Sequence, residues 1–141
     1  MPKIIFYILK SGGSSVEYIA CRLVAKAWRE GHAVQIYTPS IEISQQLDTL
    51  LWSWQEDSFI PHAIITDQTS AQLPPVIISS EPPDKRLDSI LINMTPATIA
   101  NVMHCRHICE IVTEEAEGRA LSRAKFRNYR QKGIQPTTYW L

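Results

Sequence analysis

Lys3 to Leu9 is an unbroken apolar, β-branched and aromatic run, and shortly after it the chain changes to helical spacing. A run of that kind suits a strand covered on both faces. Ser11-Gly12-Gly13-Ser14-Ser15 supplies a turn, and Ser14 or Ser15 can cap the next element. From Val16 to Glu30 the residues Ile19, Ala20, Leu23, Val24, Ala27 and Trp28 recur at helical intervals, and Gly31 is a helix stop. Ala33 to Thr38 reads as a second strand, and Ser40 introduces a second helix through Leu47, Leu50 and Leu51 to about Trp52. Parallel strands need a long crossover, and an amphipathic helix is its usual form. The opening therefore predicts an α/β fold: a three-layer α/β/α domain around a largely parallel central sheet.

The remainder fits one domain over residues 1–141. Polar, proline-bearing stretches at 66–75 and 79–86 read as loops around a short strand at Val76 to Ile78. Asp88 to Asn93 is another buried strand, and Thr95-Pro96 opens a predicted helix to about Cys105, with proline at a first-turn position. Ile108 to Val112 reads as the last strand, followed by a basic helix and a tail ending Tyr139-Trp140-Leu141.

Hydrophobic residues at 45% and charged residues at 20% argue for a folded chain, and 14 basic against 14 acidic residues argue against a nucleic-acid coat. Any anionic partner must be met locally. The N-terminal apolar run is too short to span a bilayer, and three cysteines, Cys21, Cys105 and Cys109, form no disulfide framework. The chain reads as cytoplasmic, with no membrane contact.

Motifs for chemistry are missing. The glycine pair after the first strand invites a nucleotide-binding reading, but it has neither Gly-x-Gly-x-x-Gly nor the phosphate-loop lysine. His104, Cys105, His107 and Cys109 are metal-capable, but a helix end running into a strand would make them diverge, and Cys109 suits the core. Ser58, His62, Asp57 and Asp67 lack a nucleophile elbow, and His62 after Pro61 reads as a turn residue. No cofactor, metal or catalysis is expected.

Two other features stand out. Arg119 to Lys132 holds six of the 14 basic residues, two aromatics and no acid. On a helix, Arg119, Arg123, Arg127 and Arg130 fall within an arc of roughly 80°, with Phe126 beside them. Glu110, Glu114, Glu115 and Glu117 precede them, the end a helix dipole favours for acids. The row suits an anionic partner with an apolar part, or equally a solvated helix of complementary charge. The second feature is Trp52 and Trp54 at a helix end, followed by Phe59, Ile60 and Pro61. Such aromatics either anchor a partner or close the core.

FYIL at Phe6 to Leu9, VEYIACRLVAKAWREGHAVQIYT from Val16, LLW then SFIPH at Leu50 to His62, LDSILIN, and the closing RAKFRNYRQKG carry a resemblance over nearly the whole chain. The chain resembles the chi subunit family of the bacterial DNA polymerase III clamp-loader assembly. The resemblance implies an α/β domain with a nucleotide-binding-like outline, without a phosphate loop or nucleotide chemistry, acting as a non-catalytic adaptor in DNA replication. One surface would hold the psi subunit, through Trp52 and Phe59 with Pro61 nearby. Another would hold the acidic C-terminal tail of single-stranded DNA-binding protein, through Arg123, Phe126 and Arg127, with Val112 at the end of the preceding strand. Contact with DNA would be indirect, and the protein a monomer or a heterodimer with psi. Phe126 stands where the family commonly has Tyr, and Arg127 where it commonly has Lys. A rival reading is direct single-stranded nucleic-acid binding by the basic helix, against which the neutral net charge and the lack of a run of exposed aromatics count.

Overall fold

In the computed structural model, described for residues 2–10, 15–54, 60–65, 73–82, 89–100, 102 and 105–141, the alternation of patterns becomes alternating elements. β1 (Lys3–Leu9) leads to α1 (Val16–Arg29), β2 (Val34–Tyr37) and α2 (Ile41–Trp52). β3 (His62–Ile64), β4 (Val76–Ser79), β5 (Ser89–Asn93) and β6 (Cys105–Thr113) come next, then α3 (Ala116–Gln131) and β7 (Thr137–Trp140). The strands form one sheet in the order β3-β4-β2-β5-β6-β1-β7, and every pairing is parallel.

Local chemistry sets the first two helices. The Ser15 hydroxyl accepts from the Tyr18 amide at 3.1 Å, and the Ser40 hydroxyl accepts from the Ile43 amide at 3.3 Å. Gly31, just beyond α1, has φ +83, the left-handed geometry that releases the chain into β2. Strand alternation then separates two cores. Val34, Ile36, Val76, Ile78, Ile90, Ile92 and Ile111 pack beneath α1 and α2. Ile4, Phe6, Leu91, Ile108 and Val112 face the other way, beneath Tyr129 of α3 and the segment bearing Ile99 and Val102. The three layers expected from the sequence are present.

Three expectations fail. No helix runs from Thr95 to Cys105: residues 95–97 and 100 are bends, and Cys105 already belongs to β6. Side chains take the backbone groups a helix would use. Asn93 Oδ1 accepts from the Thr95 amide at 3.0 Å, and Asn93 Nδ2 donates to the Ala97 carbonyl at 2.7 Å. Thr95 Oγ1 accepts from the Ala97 amide at 3.2 Å, and the Tyr129 hydroxyl accepts from the Ile99 amide at 3.1 Å. Ile108 to Val112 is not the last strand either, because Thr137–Trp140 pairs with β1 and turns the expected tail into a sheet edge. His62, expected in a turn, is the buried first residue of β3, paired with Val76.

α3 sits close against β6 because residue 118 has no side chain. A Cβ on Gly118 would collide with the side chain and carbonyl of Thr113. Gly118→Ala raises helix propensity, yet it should destabilise the fold by about 1–3 kcal/mol through overpacking. Urea unfolding reads the sign directly, and a gain in stability would show that α3 can shift without loss.

Candidate functional site

β6 carries an acid in its apolar face, and α3 is turned to meet it. Glu110 is fully buried, and its Oε1 lies 2.7 Å from the Nζ of Lys125, itself 2% exposed. The Tyr129 hydroxyl donates to Oε2 at 2.5 Å, and Asn93 Nδ2 reaches both oxygens at 2.9 and 3.1 Å. Lys125 also donates to the Thr95 carbonyl at 2.5 Å. Burial first, then the charge of Glu110, pushes the Tyr129 phenol well above its ordinary range, so it remains a donor. Glu110 is therefore not one of the acids favouring the helix N-terminus, and Lys125 does not belong to the exposed cations. Sequence reasoning misses this network; an acid inside the apolar run ICEIV is the signal it offers.

Lys125 and Tyr129, four residues apart, fix which side of α3 faces outward. Arg123, Phe126, Arg127, Arg130 and Gln131 line an open groove of about 490 Å³. Arg123, Arg127 and Arg130 are exposed, while Phe126 is half-buried and tilts against Phe6 at 5.7 Å between ring centres. Phe6 in turn meets Tyr129 edge-on at 6.1 Å. Val112 lies beneath, 6% exposed, in the cluster against which Phe126 packs. It is part of the apolar base under that side of α3 and is not among the residues lining the groove. Arg119 is drawn toward Glu114, 3.7 Å away, at the start of the helix.

The aromatic pair at the end of α2 splits. Trp52 is 59% exposed and its ring rests on that of His62, 4.7 Å between centres and tilted by 56°. The His62 ring is itself tied down, Nδ1 lying 2.6 Å from the Ile60 carbonyl and Nε2 lying 3.1 Å from Asp48 Oδ1 of α2. Pro61, half-buried, connects these residues. Phe59 lies outside the described residues. Trp54 turns the other way, onto Tyr18 of α1 at 5.0 Å. The Trp52 surface belongs to the α1/α2 side of the sheet and the arginine groove to the α3 side.

Burial pushes the Cys109 and Cys21 thiols, both in the core, up to about 12 and that of the half-buried Cys105 to about 11, which suits unreactive thiols. His104 lies outside the described residues. Among the described residues, no three His, Cys, Asp or Glu side chains gather as a metal set, and no helix is long and apolar enough to cross a membrane.

Residues 1–137 match the family described as DNA polymerase III chi subunit, HolC. The chain is 35% identical over 134 residues to the DNA polymerase III subunit chi of Pseudomonas aeruginosa, spanning 94% of this chain and 92% of that protein. It is 25% identical over 143 residues to the subunit of that name from Escherichia coli K12, spanning 98% and 97%. It is 28% identical over 135 residues to the one from Haemophilus influenzae, spanning 94% and 93%.

Proposed function

Because this chain belongs to the DNA polymerase III chi subunit family, we propose that it is a non-catalytic adaptor of the replicative polymerase with two docking surfaces. The arginine groove on α3 takes the acidic C-terminal tail of single-stranded DNA-binding protein, and the Trp52 surface takes psi, which links the adaptor to the clamp loader. The strongest support is the groove itself: three exposed guanidiniums around one half-buried phenyl ring.

Such a groove matches a peptide ending in acids, a short apolar stretch and a terminal Phe. Arg123 or Arg127 pairs with the terminal carboxylate, since guanidinium forms charge-assisted, often bidentate bonds to it. The peptide's ring lies against Phe126, with Val112 and Phe6 in the apolar base beneath. The remaining arginines attract the upstream acids at longer range, a contribution that salt screens. The Phe126 ring offers no hydroxyl, so the grip relies on packing and on the guanidiniums.

Calorimetric titration with a tail peptide tests this. Arg123→Ala, at an exposed position, should weaken binding by about 1.5–3 kcal/mol without loss of fold. Amidating the peptide's terminal carboxylate, or replacing its last Phe with Ala, should weaken binding more than removing any single upstream Asp. Equal losses at every peptide position would mean diffuse attraction and no defined pocket. The docking surfaces lie on opposite sides of the sheet, so the tail and psi should bind the same molecule without competition.

A further inference from the structure

We propose that a second groove, between α1 and the C-terminal end of β1, binds a short stretch of single-stranded nucleic acid. This cavity of about 370 Å³ is lined by Tyr7, Tyr18, Arg22, Lys26, Arg29 and Trp54, among others. It lies on the α1 side of the sheet, away from the α3 groove.

Arg22, Lys26 and Arg29 are all exposed. Their spacing of four and three residues puts them within an arc of about 60°, with axial steps of about 6 and 4.5 Å. No carboxylate side chain lines the cavity among the described residues. The acids flanking α1, Glu17 and Glu30, stand at its opposite ends, and Glu30 lies 3.9 Å from His32. A local row of three positive charges thus sits on a chain whose net charge is zero.

Rings from separate segments gather beside that row. Tyr18, 44% exposed, and Trp54 meet at 5.0 Å with a 50° tilt. Tyr7 of β1 stacks on Tyr139 of β7 at 5.9 Å and 18°. A peptide of acids alone would satisfy the cations and leave the rings unused, and a tail of acids with a terminal Phe is already matched by the α3 groove. A nucleotide strand uses both, its phosphates following α1 and a base lying against the Tyr18–Trp54 wall. The cavity is of the size that holds a small ligand, so about one nucleotide enters it while its neighbours run over the helix.

The test is fluorescence anisotropy of a labelled oligodeoxythymidine titrated with the full chain at low ionic strength. Binding should saturate, and log K should fall with log salt at a slope of about −2, as three phosphate contacts on a single strand require. Trp54→Ala should weaken it about tenfold or more. Arg22→Glu with Lys26→Glu, at exposed positions that leave the core intact, should abolish it, while Arg123→Ala leaves it unchanged. The proposal is overturned if no saturable binding occurs, or if the α1 pair of changes has no effect. It is equally overturned if an abasic oligomer or an acidic peptide of equal charge binds as tightly as the oligodeoxythymidine.

Discussion

Lys125→Met should lower the stability of the fold by about 3–5 kcal/mol, the range for breaking a buried ion pair from one side. Methionine keeps much of the aliphatic volume, so the loss reflects charge and hydrogen bonding. Glu110 would remain fully buried with Tyr129 and Asn93 as its donors, without the cation 2.7 Å away. A domain is commonly stable by about 5–15 kcal/mol, so the change should move the urea midpoint far to the left. Adding Glu110→Gln should recover a large part of the loss, because a neutral amide tolerates burial better than an unpaired carboxylate. A single-variant loss below about 1 kcal/mol would mean that Glu110 is rescued by its other donors. The network also orients α3, so folded Lys125→Met should bind the tail peptide more weakly although Lys125 does not face the groove.

Trp52→Ala should weaken psi binding by at least about 2 kcal/mol, as expected for an aromatic anchor at the centre of a protein interface. Its ring is 59% exposed and rests on a histidine held by Asp48 and Ile60, so it is presented outward on a rigid base. Thermal unfolding should change little, and tail-peptide affinity not at all, since that groove is on the other side of the sheet. Calorimetry with purified psi decides the matter. A variant that folds and binds psi at full strength would place the psi surface elsewhere. A variant that loses its unfolding transition would make Trp52 a core residue. Phe59→Ala should show the same selective loss of psi binding.

Local patterning made β1, α1, β2 and α2 legible: the strands are short apolar runs, while Ala20, Val24 and Ala27, and then Leu47 and Leu51, repeat at the interval that buries one face of a helix. Ser15, Ser40 and Gly31 marked the ends by short-range hydrogen bonding and backbone preference. β3 was illegible because three residues carry no period, and β7 because all four of its residues are exposed. Both exist through strand pairing, β3 with β4 and β7 with β1 at the other end of the chain. Thr95-Pro96 has good helix-start chemistry, and it lost to Asn93, Tyr129 and Lys125, which claim the local amides and carbonyls from outside.

For the candidate surfaces, the chain's order of residues dictates the supply: a row of arginines beside Phe126 on one helix, and Trp52 at the end of another. Which of those side chains meet solvent is a matter of packing. Lys125 and Arg127 are two residues apart in one basic segment, yet one is buried on Glu110 and the other lines a groove. Helical spacing fixes the relative angles of side chains, while the absolute rotation of α3 depends on a buried charge supplied by β6. The gathering of Tyr7, Tyr18 and Trp54 beside the cations of α1 is likewise tertiary, because the three rings come from separate elements and share no spacing along the chain.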